Sequence, residues 1–200
     1  MNPQFWWYVA RASGMVAACL LALTVVWGLV ASTRLLRRPG LPAWLVDLHR
    51  GLGGLTLVFV AVHLASLVAD STVHFAWAEL FVPFASAWRR GPVALGVAAF
   101  WALAVVEGSS LLRRRMSRRA WRRLHWLSYP TALLVALHGA TAGTDSSNPL
   151  FTWTSIVLIT MIAALTVVRA ITSTRPTRPT RPTRPNRPTR PNRRPVPSGR

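Results

Sequence analysis

Four of the five histidines fall into two matched pairs. His49 and His63 lie 14 residues apart on one apolar stretch, and His125 and His138 lie 13 apart on another. Imidazole is a standard iron ligand and a usual axial ligand of haem. At 1.5 Å per residue the intervals correspond to about 21 Å and about 20 Å along a helix axis. The pairs therefore match in height, near the two ends of segments long enough to cross a bilayer. Iron held at two such depths would carry electrons through a membrane.

Height is only half of the geometry. A 14-residue step returns His63 to within about 40° of His49 on an ideal helix, whereas a 13-residue step leaves His138 about 140° away from His125. Pro130 lies between the second pair. It has no N–H to donate and its ring crowds the preceding turn, so it must disturb the ladder near Trp126. A kink or altered winding there would bring His138 round to the face of His125.

The elements that must position these residues are set by composition. Of 200 residues, 52% are hydrophobic and only five are acidic. The apolar residues gather in runs of about 20, the length that crosses a hydrocarbon core of about 30 Å. Helices satisfy their own backbone groups in lipid, so the expected class is an all-α integral membrane bundle. Five spans are drawn: Trp7 to Ser32, Trp44 to Val68, Pro92 to Leu112, Trp121 to Ala142 and Pro149 to Ile171. Trp6, Trp7, Trp44, Trp88, Trp121, Trp126 and Trp153 sit near their ends as interfacial anchors. Thr72 to Trp88, interrupted by Pro83, is too short to cross and is expected to lie along the outer interface. The first apolar run is too long for a signal-peptide core and reads as a retained helix. Cys19 lies alone within it, so neither a disulfide nor a thiolate cluster is available.

The formal charge is +19, and all 24 basic residues are arginine. They concentrate in short connections and in the tail, which the positive-inside rule explains without nucleic acid as the main function. Arg34, Arg37 and Arg38 follow the first span; Arg113, Arg114, Arg115, Arg118, Arg119, Arg122 and Arg123 follow the third. Those connections and the tail are assigned to the cytoplasm, with the N-terminus outside and the C-terminus inside. The opposite connections hold Arg89 and Arg90, offset by Asp70 and Glu79, and then only Asp145. From Thr174 the chain repeats Arg-Pro-Thr and Arg-Pro-Asn. With little to bury and proline at every third position, residues 174–200 are expected to be disordered with polyproline II character, beside a membrane domain of residues 1–173. Such a tail is drawn to anionic lipid or docks an acidic partner.

Ionisable side chains inside a membrane normally face the bundle interior. The second and fourth spans run in the same direction, so His49 is paired with His125 near the cytoplasm and His63 with His138 near the outer surface. Gly51, Gly53 and Gly54, and Gly139 and Ala140, would let a flat macrocycle approach the backbone, or would serve close helix packing. Arg50, Arg122 and Arg123 are placed to offset haem propionates at the inner level, and Arg11 at the outer one. Glu107 is read as a snorkelling residue paired with a nearby arginine, with a proton relay as the alternative. His74 lies outside the pattern and is read as solvated.

The segments Leu48-His49-Arg50-Gly51-Leu52-Gly53, Val62-His63, Val82-Pro83-Phe84, Arg119-Ala120-Trp121-Arg122, His125-Trp126-Leu127 and His138-Gly139 resemble the ferric reductase-like transmembrane domain family, over Phe5 to Ile171. That family includes the membrane cores of ferric reductases and NADPH oxidases and a stand-alone bacterial haem subunit of methionine sulfoxide repair. The resemblance implies two b-type haems ligated by His49, His63, His125 and His138, with both histidine intervals of the family reproduced here. It also implies an oxidoreductase component of the cytoplasmic membrane. No Gly-rich nucleotide fingerprint follows the spans, so FMN or FAD is expected on a partner. Electrons would come from a separate flavoprotein or from quinol and leave to an extracytoplasmic acceptor: ferric iron, a flavoprotein or a repair reductase. The alternatives are a membrane anchor that recruits a redox partner, its haem structural or partly lost, and a metal-ion transporter.

Overall fold

The computed structural model describes residues 4–32, 43–71, 73, 75–143 and 148–173. His74, Asp145, the arginines of the first connection and the Arg-Pro tail lie outside the described residues. Seven α-helices run in order: α1 Phe5–Ser32, α2 Ala43–Ala69, α3 Trp77–Phe81, α4 Arg90–Leu111, α5 Arg118–His125, α6 Ser128–Ala142 and α7 Pro149–Ser173. A 3₁₀ turn, Arg113–Arg115, joins α4 to α5. Among the described residues there is no strand, and the protein is an all-α membrane bundle.

Among the described residues, three helices, α1, α2 and α4, are by themselves long and apolar enough to cross a bilayer. Much of their outer surface is apolar: Val58 is 56% exposed, Trp101 50% and Leu111 82%. Such surface is stable against lipid rather than water.

The predicted fourth span is not one helix. It breaks at Trp126 and Leu127 into α5 and α6, and α6, with 15 residues, is too short to cross alone. Pro130 is the cause. Leu127 N–H donates to Leu124 O at 3.0 Å and Tyr129 N–H to Trp126 O at 3.3 Å, both with the three-residue step of a 3₁₀ turn. The four-residue step resumes at Thr131, whose N–H donates to Leu127 O at 2.9 Å. The missing N–H of Pro130 leaves the turn before it to tighten.

Packing follows residue size. The buried positions of α1 include Ala10, Ser13, Ala17, Leu21, Thr24 and Leu29, at steps of three to five that keep one face. The first three are small, which lets α2 come close along the whole length of α1. Trp27 Nε1–H donates to Leu45 O at 2.9 Å and pins the start of α2 to the end of α1, so the two helices are antiparallel. Their hydroxyls are satisfied within each helix. Ser13 donates to Val9 O at 2.6 Å, Thr24 to Leu20 O at 2.7 Å and Ser66 to Val62 O at 2.6 Å. No polar atom of these side chains is left to the hydrocarbon.

In the same way α6 packs on α4, and α7 packs on α1. The histidine-bearing helices α2 and α6, by contrast, share no extensive backbone contact. Each rests on its own partner helix, with the side chains of the site between them.

The segment after α2 does not lie flat on the surface. Phe75 and Leu80 are buried against Val93 and Val97 of α4, with Leu64, Leu67, Val68 and Trp88 packed around them. Asp70 and Glu79 do not offset Arg89 and Arg90 as expected. They bind backbone instead: Asp70 accepts from Val73 N–H at 3.1 Å, and Glu79 from Ala76 and Ala87 N–H at 3.0 and 3.2 Å. Arg89 donates to Thr141 O at 2.8 Å and Arg90 to Phe84 O at 2.8 Å. Phe84 and Arg89 hold left-handed φ of 66° and 40°, a strained choice for bulky residues.

Candidate functional site

The structure brings the four histidines together in the expected pairs. The rings of His49 and His125 stand 6.1 Å apart between centroids at an interplanar angle of 69°. His63 and His138 lie within electrostatic reach of each other at the opposite end of the bundle. All four rings are half-buried. The 140° conflict disappears because His125 ends α5 and His138 belongs to α6, so no single helix has to present both.

At the His63 and His138 level each ring is fixed by a backbone carbonyl of the neighbouring helix. His63 Nδ1 bonds Ala10 O at 2.7 Å, and His138 Nδ1 bonds Pro92 O at 2.8 Å. A carbonyl only accepts, so Nδ1 carries the proton in each ring. Nε2 keeps its lone pair, which is the tautomer a metal ligand needs. The Pro92 carbonyl sits in the first turn of α4 and the Ala10 carbonyl in the second turn of α1.

Sequence reasoning missed the residues that make this approach possible. A Cβ on Gly14 would stand 3.0 Å from His63 Nδ1, one on Gly28 3.1 Å from His49 Cε1, and one on Gly96 2.7 Å from His138 Cε1. In each case the carbonyl facing the ring belongs to the residue four positions earlier: Ala10, Thr24 or Pro92. The Thr24 backbone approaches His49, though His49 Nδ1 is buried without a formed hydrogen bond. A glycine one turn beyond a carbonyl thus recurs three times. Gly14 and Gly28 are 14 residues apart, as His49 and His63 are, and that shared interval on antiparallel helices was the signal available. The glycines named from sequence have other surroundings: Gly51 and Gly54 face open space, and Gly53 faces Glu107.

His125 is held differently. Its ring stacks on Trp121 of the same helix at 4.9 Å and 21°, and Arg113 lies over the Trp121 ring, 4.6 Å from its centroid. Arg50 is on the surface near Asp47, 3.9 Å away, and Arg122 and Arg123 are exposed on α5. Arg11, half-buried, follows Ala10 at the level of His63. Glu107 is not a snorkelling partner of an arginine: its carboxyl is turned against Gly53 of α2 and has no ion-pair partner among the described residues. Also among the described residues, no three His, Cys, Asp or Glu side chains converge as a site for a bare metal ion would require.

A helical membrane bundle with two depths of paired imidazoles between its helices defines the class. The chain belongs to the family of ferric reductase-like transmembrane components, which matches residues 13–136. The match includes His49, His63 and His125 and ends two residues before His138. No curated protein and no solved structure matches the chain.

Proposed function

We propose that this protein carries electrons across the cytoplasmic membrane, with haem b held by His49 and His125 at one depth and by His63 and His138 at the other. The observation that carries the reading is the pair of Nδ1 hydrogen bonds at 2.7 and 2.8 Å, which leave Nε2 of both rings with its lone pair, on two histidines within electrostatic reach of each other. The residues fit such a group on three further counts. Rings at 6.1 Å agree with two imidazoles on opposite sides of one metal at bond lengths of about 2 Å. The glycines of α1 and α4 draw the rings back onto their own partner helices. Each pair supplies two ligands, the axial complement of haem and short of the four that a bare zinc ion takes.

Haem b held by these two pairs would supply one-electron carriers at two depths. The protein's own part is to fix the imidazole tautomers, exclude water and set the charge around each level. The arginine-bearing end, next to His49 and His125, is assigned to the cytoplasm by the positive-inside rule. The donor is then a separate flavoprotein or quinol, and the acceptor an extracytoplasmic redox partner or ferric iron.

A redox-titrated optical spectrum of the purified protein tests this. A reduced b-type spectrum with about two haems per chain is expected, and His63→Ala or His138→Ala removes one of them. Wild-type protein that takes up no haem when haem is supplied overturns the proposal.

A further inference from the structure

Beside the histidine site, at the end of α4, lies a cavity of about 360 Å³ lined by Arg50, Ser110, Arg113, Arg114, Arg118 and Trp121. We propose that this cavity binds a phosphate group, carried on a lipid headgroup or on a soluble phosphate ester. The positive-inside rule accounts for many arginines at this end of the bundle, but not for four of them, from three separate elements, around one hollow. Arg50 comes from α2, Arg113 and Arg114 from the 3₁₀ turn, and Arg118 from the first turn of α5. Among the described residues, no Asp or Glu lines the cavity. The one carboxylate near Arg50 is Asp47, at 3.9 Å and 71% exposed, and a surface pair of that kind contributes little.

Guanidinium forks match phosphate oxygens two at a time, so such a ring of arginines favours phosphate over a monovalent anion. Two observations show that the ring is built. Arg113 is held in place over the Trp121 ring at 4.6 Å. The Trp121 Nε1–H is buried and has no acceptor among the described residues, a further donor in a wall that already holds four guanidinium groups. The volume is that of a small-ligand pocket. Leu111, at 82% exposure, shares the rim with Met116, so an occupant with an apolar portion has a surface to lie on. This proposal does not depend on what the histidines bind.

The full-length protein as purified is placed in phosphatidylcholine nanodiscs at about 0.15 M salt, which screens unspecific attraction. One arm titrates pyrophosphate by calorimetry. The other adds phosphatidylglycerol to the disc and counts retained lipid by native mass spectrometry. Saturable one-to-one binding in either arm supports the proposal, and the arm that shows it names the source. Arg113→Gln with Arg114→Gln weakens that binding by about tenfold or more. Arg119→Gln with Arg123→Gln removes the same charge from α5 outside the cavity and changes it by less than about twofold. If the Gln pair fails to fold, Arg113→Lys with Arg114→Lys keeps the charge, loses the fork and still weakens binding several-fold. Absence of saturable binding in both arms overturns the assignment, as does an equal loss in the Arg119 and Arg123 variant.

Discussion

Gly14 of α1 and His63 of α2 are in such close contact that a side chain on residue 14 would begin 3.0 Å from the imidazole Nδ1, the atom that reaches Ala10 O at 2.7 Å. The absence of a Cβ is what admits the ring to the carbonyl. The same relation joins Gly96 to His138, and Gly28 to His49.

These contacts rank a set of substitutions. Gly96→Ala, whose Cβ would stand 2.7 Å from Cε1 and 2.8 Å from Nδ1 of His138, is expected to destabilise by about 1–3 kcal/mol and to displace the ring. Gly14→Ala and Gly28→Ala follow. Gly54→Ala meets open space and gains about 1 kcal/mol of helix propensity. Thermal unfolding in detergent, with cofactor content measured alongside, checks the order. Equal behaviour of the Gly96 and Gly54 variants contradicts it.

Pro130→Ala restores an N–H that can donate to Trp126 O and allows α5 and α6 to run on as one helix. His125 then turns about 140° away from the face of His138. Cofactor binding at the His49 level is expected to fall while the His63 level is kept, seen as half the haem per chain. A variant with the full complement shows that the break does not set the register.

Trp121 supports His125 by stacking at 4.9 Å. A pair of this kind contributes about 0.5–1.5 kcal/mol, so Trp121→Leu is expected to weaken haem retention at the His49 and His125 level by up to about tenfold. Trp121→Phe keeps most of it. Competition with a haem-binding acceptor protein measures the loss, and equal retention by the Leu variant and wild type counts against the stack.

Glu107 turns a carboxyl against Gly53 inside the bundle. A polar group in that position, with no ion-pair partner among the described residues, costs about 1–3 kcal/mol. Glu107→Leu is therefore expected to raise the melting temperature in detergent. A lower one would mean that the carboxyl is bound to something that stabilises it.

Periodicity and composition were enough to place α1, α2 and α4 within two residues at each end, because hydrocarbon thickness fixes span length and lipid leaves helix as the only open backbone solution. The histidine pairing was also legible, since imidazoles at matched heights on helices running the same way meet end for end. The break at Trp126 was signalled by Pro130, but not its outcome as two helices. That depended on α5 packing against the end of α4 and α6 along its length. The glycines that seat the rings escaped notice because they lie on α1 and α4, helices without any histidine. Which helix stands beside α2 is a tertiary fact, and only then does a residue such as Gly28 acquire a neighbour. The arginines show the same division. Their number and their place along the chain set which end of the bundle is basic. That four of them surround one cavity follows from the turn between α4 and α5, which brings residues distant in sequence to the same few ångströms of surface.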